Sequence, residues 1–153
     1  MSKIEQLLQE QGLELPVLSA GVGSYKPYYL AGSLLFLSGQ GPRDDQGTLL
    51  KGKVGAGYTT EQASQDAQRI ALQLLATAKL ALGDLNRLKG VVKVLGLVNC
   101  VPKYTDHPKV VDGCSLLFNK ALPQTPGHAR SAVGATSLPG GISVEIEAIF
   151  EVE

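Results

Sequence analysis

Residues 142–152 alternate along their whole length. Ile142, Val144, Ile146, Ala148, Phe150 and Val152 fall on one side, and Ser143, Glu145, Glu147, Ile149 and Glu151 on the other. Successive side chains of a strand point to opposite faces, so this run predicts a β-strand with one buried face and one polar face. Ile149 is the one apolar residue among the acidic ones. Such a strand requires a sheet covered on one side, and the rest of the chain must supply the cover.

The cover is legible as helices. Thr59 to Leu82 carries apolar residues at steps of three and four, from Ala63 and Ala67 to Ala78 and Leu82. Thr59 with Gln62 forms a capping box, and Gly83 is a stop. Ser2 with Glu5 opens a shorter helix to Gln11, followed by an extended arm. A third helix follows Thr105 or Asp106, with Pro108 in its first turn and Val110, Val111, Cys114, Leu117, Phe118 and Ala121 as its stripe. Leu34 to Ser38, after a tight Gly32-Ser33 turn, reads as a strand covered on both sides, and Thr48 to Lys51 as one short strand in a loop. Val91 to Cys100 reads as a central strand, also doubly covered, with Val92, Val94 and Val98 on one face and Val91, Leu95 and Leu97 on the other.

The order β-β-α-β-α-β-β predicts an α+β fold: a mixed sheet with two main helices on one face, plus a short N-terminal helix. Residues 1–153 are expected to form one domain, with 1–24 as helix and arm. The second face of the sheet keeps apolar residues and has no helix left to cover it. Another copy of the chain is the economical cover, which predicts a homo-oligomer.

Composition narrows the function. Basic and acidic residues balance at 14 each, which removes the main electrostatic argument for nucleic acid or an anionic membrane. There is no Trp and aromatics make up 5%, a poor supply of stacking platforms. Two Cys and two His lack close metal-ligand spacing, so no metal is expected. No phosphate loop and no nucleophile elbow occur. The N-terminus lacks a basic stretch before an apolar run, and no apolar run is long enough to span a bilayer. The expected compartment is the cytoplasm.

The segment His128-Ala129-Arg130-Ser131-Ala132-Val133-Gly134 carries the chemistry. His128 and Arg130 stand two apart and share a strand face. Arg is costly to bury unpaired, and its planar fork suits a carboxylate or phosphate. Arg130 therefore either pairs with an acidic side chain inside the fold or holds an anionic small molecule. A tight turn at Pro139-Gly140 would make a hairpin with the last strand, setting Arg130 opposite Ile149 and Glu145 opposite Gly134. Arg130 and Glu145 would then meet only through a bulge or a neighbouring subunit. Glu145 is either a solvated strand residue or an acid at the site. Tyr25, Ser38 and Asp112 have plain readings as packing, turn and solvent-facing residues. His128 reads as an orienting or loop-anchoring residue, with a general-base role open because its charge changes near neutrality.

Taken together, Ser38-Gly39-Gln40-Gly41-Pro42, Ala129-Arg130-Ser131-Ala132-Val133, Leu138-Pro139 and Val144-Glu145-Ile146-Glu147-Ala148-Ile149 resemble the RidA/YjgF family, also known as endoribonuclease L-PSP. The likeness runs from about Tyr25 onward and is nearer to a divergent YjgF-like branch. The resemblance implies a chorismate-mutase-like fold, a homotrimer with sites between subunits, and hydrolysis of enamine or imine acids to 2-keto acids and ammonia. By the same resemblance Arg130 matches the arginine that grips the substrate carboxylate, and Glu145 the acid that positions water. Tyr25 and Ser38 match the pocket tyrosine and serine by spacing. Asp112 stands about where the family has an asparagine. Ala132 replaces a frequent cysteine, and the loop before His128 is longer.

A deaminase of this kind needs no cofactor, since an imine is already electrophilic. Two other functions fit the same residues: a module that binds a small carboxylate without turning it over, and the endoribonuclease of the family name. The neutral charge argues against the second of these.

Overall fold

In the computed structural model, which describes residues 1–18 and 23–153, the two capping boxes in the sequence each start a helix. Helix α1 (Lys3–Glu10) begins at Ser2, whose hydroxyl accepts from the Glu5 backbone while the Glu5 carboxylate accepts from the Ser2 N–H at 2.8 Å. Helix α2 (Thr60–Leu82) repeats the device with Thr59 and Gln62, and ends at Gly83 with φ 77°. Helix α3 (His107–Ala121) follows Asp106, whose side chain makes no cap bond, with Pro108 in its first turn.

Five strands form one mixed sheet: β1 (Tyr28–Ala31), β2 (Leu34–Gln40), β3 (Leu88–Asn99), β4 (Ala129–Ala135) and β5 (Val144–Val152). Their spatial order is β1-β2-β5-β3-β4, with β3 and β4 parallel and every other pair antiparallel. Helices α2 and α3 cover one face of the sheet, giving the expected α+β architecture. The alternation of β5 holds: Val144, Ile146, Ala148, Phe150 and Val152 are buried against the helices, at most 3% exposed.

Strand pairing departs from the sequence expectation. β4 and β5 do not form a hairpin, because β3 lies between them. The valine-rich β3 gains a ladder partner on each side, which a β4–β5 hairpin would have denied it. The chain instead crosses the end of β3 over residues 136–143. Asn99 ties this crossing down: its side-chain amide donates to the carbonyls of Ile142 (3.0 Å) and Gly52 (3.2 Å), and its N–H to Ser143 O (2.9 Å). The Lys53 ammonium completes the clamp, donating to Asn99 Oδ1 and Thr136 O.

Other differences are local. β3 starts at Leu88, after a 3-10 turn at Leu85–Arg87. A bulge between Val91 and Lys93 sends Val91 into the core and leaves Val92 40% exposed, so Val92 does not share a face with Val94 and Val98. Neither β2 nor β3 is covered on both sides within the chain. Phe36 is 40% exposed, and Leu95 and Leu97 are half-buried. Thr48 to Lys51 makes isolated bridges rather than a strand. Ser143 precedes β5 and is fully buried, donating to the buried Asp66 at 2.6 Å. Asp66 also accepts from Tyr58, and burial together with that bond pushes the Tyr58 hydroxyl up to about 12.

The core lies between sheet and helices. Ile70, Leu74, Leu75, Val94, Val98, Phe118, Ile146 and Phe150 are almost wholly buried, each such side chain contributing about 1.5–3 kcal/mol. Two glycines set the position of α3. A Cβ on Gly113 would stand 1.9 Å from the Ser64 carbonyl oxygen of α2, and one on Gly96 of β3 would stand 2.4 Å from Val111 Cγ2. Helix α3 is thus pressed onto α2 and β3 on either side of Asp112.

Candidate active site

The register of the strands sorts the expected site residues between the two faces. Across the helix-covered face one row runs Leu37, Ala148, Val94, Arg130. Across the open face the corresponding rows are Tyr29, Phe36, Ile149, Lys93, Ala129, then Glu147, Leu95, Ser131, then Glu145, Leu97, Val133. Arg130 and Glu145 therefore occupy opposite faces of one sheet. One chain does not bring them together.

Arg130 extends from β4 beneath α3. Its Nη1 donates to Asp112 Oδ1 at 2.7 Å and to Ser115 Oγ at 3.1 Å. Asp112 and Ser115 lie three apart on α3 and so face the same way. Of the two readings of Arg130, the pairing with an internal acid is the one the structure shows. The guanidinium pairs with an acid of its own chain, but through a single nitrogen; among the described residues Nη2 and Nε donate to nothing. The arginine side chain keeps 23% exposure and Asp112 47%. His128 turns to the same helix, edge-on to Phe118 with ring centroids 6.4 Å apart, and its Nδ1 lies 3.1 Å from Ala129 O. It shares the face of Arg130, as the two-residue spacing requires.

Glu145 is half-buried on the open face, against the backbone of Gly39 in β2. Burial, and then the like charge of Glu147, raise its carboxyl above the usual carboxylate range. Ser38 donates to Lys26 O at 2.6 Å and borders a shallow concavity of about 630 Å³ on the same face. Tyr28, Phe36, Lys93, Leu95 and Glu147 also line that concavity; Arg130, Glu145 and Tyr25 do not. Tyr25 is 66% exposed in the segment before β1.

Two polar residues escaped the sequence reading. Ser115 carried a signal, since it follows Asp112 at helical spacing. Lys93 carried one too, as the basic residue alternating with Leu95 and Leu97. Among the described residues, no three His, Cys, Asp or Glu side chains cluster to hold a metal ion, and no helix is long and apolar enough to cross a membrane.

Comparison with known proteins agrees with the fold. Residues 5–143 match the family described as "YjgF/chorismate_mutase-like, putative endoribonuclease". The chain is 38% identical over 146 residues to Protein TCP17 of Trypanosoma cruzi, covering 95% of this chain and 91% of that protein. It superposes on the crystal structure of Atu1372 from Agrobacterium tumefaciens, a protein of unknown function, with TM-score 0.89 and 38% identity, covering 98% of this chain and 94% of the other. A Shewanella oneidensis protein with an endoribonuclease name gives TM-score 0.92 at 33% identity, covering 97% and 99% of the two chains. The chain belongs to the YjgF/chorismate-mutase-like family.

Proposed function

We propose that this chain is a cofactor-free deaminase that hydrolyses enamine and imine forms of small 2-amino acids to 2-keto acids and ammonia, at pockets completed by a neighbouring subunit of a homotrimer. The observation that carries the reading is the half-used guanidinium of Arg130. It is held rigid through Nη1 while its other donors stay free to receive a carboxylate in fork geometry. Glu145 supplies the second element. A carboxylate whose pKa is raised by burial is a stronger base when ionised, and it can take a proton from water and return it to the departing nitrogen. Since Arg130 and Glu145 face opposite ways in one chain, the pocket needs Arg130 of one subunit and Glu145 of the next.

The open face supports the assembly. Tyr29, Phe36 and Val133 are exposed there beside half-buried Leu95, Leu97 and Ile149, and a second copy would remove them from water. Ser38, His128, Asp112 and Tyr25 are assigned to substrate binding around this pair. Tyr25 is exposed on its own chain, so its assignment requires a neighbouring subunit to complete the pocket beside it.

The test is release of 2-oxobutyrate from 2-iminobutyrate generated in situ. Wild type accelerates it, and Arg130→Ala loses about 100-fold or more of that acceleration, as expected for a charge-assisted carboxylate grip. Equal rates with wild type and Arg130→Ala would overturn the reading. A second reading, a sensor that binds a small acid without turnover, is favoured by one observation: within one chain the Arg130 grip stands on the opposite face of the sheet from the acid that would activate water. Saturable Arg130-dependent binding with no keto-acid release would establish it.

A further inference from the structure

Asp112 places a negative charge where a ligand acid is expected to bind. A lone guanidinium attracts any carboxylate, but the Arg130 charge is compensated by Asp112 at 2.7 Å. We infer that Asp112 selects the charge of the ligand: the Arg130 site takes small acids that carry a cationic nitrogen beside the carboxylate, ahead of plain 2-oxo acids of the same size. This rests on Arg130 being the carboxylate grip proposed above.

The selection is electrostatic. The guanidinium and the Asp112 carboxylate form a neutral pair, pinned by Ser115, which is 8% exposed. A plain carboxylate docking on Nη2 and Nε brings an uncompensated charge next to Asp112. A 2-iminium or 2-ammonium acid brings none overall. Its nitrogen and carboxylate are attached to the same carbon, so both charges can engage a pair that is itself at hydrogen-bond distance. Asp112 has an oxygen ready for the cation, since Oδ2 accepts no hydrogen bond among the described residues. The half-exposed Asp112 moderates the effect, and a preference of about tenfold is the expected scale for such a partly screened charge.

The selection also gives the reaction a direction. In R–C(=NH2+)–COO− + H2O → R–CO–COO− + NH4+, water adds to the carbon, the C=N bond breaks, and water's protons leave on the nitrogen, with no change of oxidation state. The substrate is charge-balanced against the Arg130–Asp112 pair and the 2-oxo product is not. The product is thus the weaker ligand, and loss of the cation promotes its release.

The experiment is calorimetry with 2-aminobutyrate and 2-oxobutyrate on wild type, Asp112→Asn, Asp112→Glu and Arg130→Ala. Wild type is expected to bind 2-aminobutyrate about tenfold more tightly. Asp112→Asn, nearly the same shape, erases the gap by strengthening 2-oxobutyrate and weakening 2-aminobutyrate. Asp112→Glu, which keeps the charge, retains the preference, and Arg130→Ala loses both ligands. An unchanged preference in Asp112→Asn, or equal affinities in wild type with both lost in Arg130→Ala, overturns charge selection while leaving the acid site standing. No saturable binding of either ligand by wild type overturns the acid site and this inference together.

Discussion

The Glu145 carboxyl rests on the backbone of Gly39 in the neighbouring strand: a Cβ at Gly39 would come within 3.0 Å of Oε1. Gly39 thus keeps β2 thin where β5 carries its acid. The acid gains shelter from solvent without being pushed off the sheet, and that shelter is the first cause of its raised pKa.

Glu145→Gln is accordingly expected to lower turnover about 100-fold and, at the same time, to stabilise the fold at neutral pH. The folded carboxyl ionises at higher pH than the unfolded one, whose value is 4.5. The ionised form therefore costs folding free energy above the folded pKa. That cost disappears as pH falls through the folded pKa toward 4.5. Urea unfolding of both proteins at pH 7 and pH 4 checks this, with Glu145→Gln the more stable at pH 7 and the difference smaller at pH 4.

The open face makes a separable claim. Phe36→Glu replaces a residue that is 40% exposed within the chain, so the subunit should still fold. A carboxylate in a shared apolar interface is costly to desolvate. Sedimentation velocity is expected to show wild-type oligomer and Phe36→Glu monomer, with circular dichroism unchanged.

Strand pairing shows where sequence reasoning stops. Both capping boxes, the Gly83 stop and the alternation of β5 are local, and each appears in the structure where the spacing put it. The partner of β4 is a long-range choice: Pro139-Gly140 does turn the chain, but over the end of β3 rather than into a hairpin. The bulge at Val91 is likewise invisible to a count of alternating residues. The Asp112–Arg130 contact depends on the rotation of α3, which Gly96 and Gly113 fix through close approaches in three dimensions. The shared face of His128 and Arg130 was legible because it needs only the two-residue period of a strand.

Gly113→Ala tests that positioning. Its methyl would overlap the Ser64 carbonyl, so α2 and α3 must part. A loss of about 3 kcal/mol or more is expected, read from the urea midpoint, with the preference for 2-aminobutyrate over 2-oxobutyrate narrowed as α3 carries Asp112 away from Arg130.

The N-terminal cap predicts an acid-dependent effect. Lys79 donates to Glu5, the Ser2 N–H adds a second bond, and together they lower the Glu5 carboxyl from 4.5 to about 2. The stability this supplies is complete above 4.5 and is lost as pH falls through about 2. Glu5→Ala should cost about 1 kcal/mol at pH 7, and unfolding curves of variant and wild type should converge as the pH approaches 2.

The separation of Arg130 and Glu145 onto opposite faces has a genetic corollary. If each pocket draws its guanidinium from one polypeptide and its acid from the next, Arg130→Ala and Glu145→Gln are lesions in different halves of the same machine. Co-expressed one to one, two inactive alleles should rescue each other. Random mixing in a closed ring leaves about a quarter of the pockets with both parts intact, and the co-expressed product should recover about that fraction of wild-type turnover.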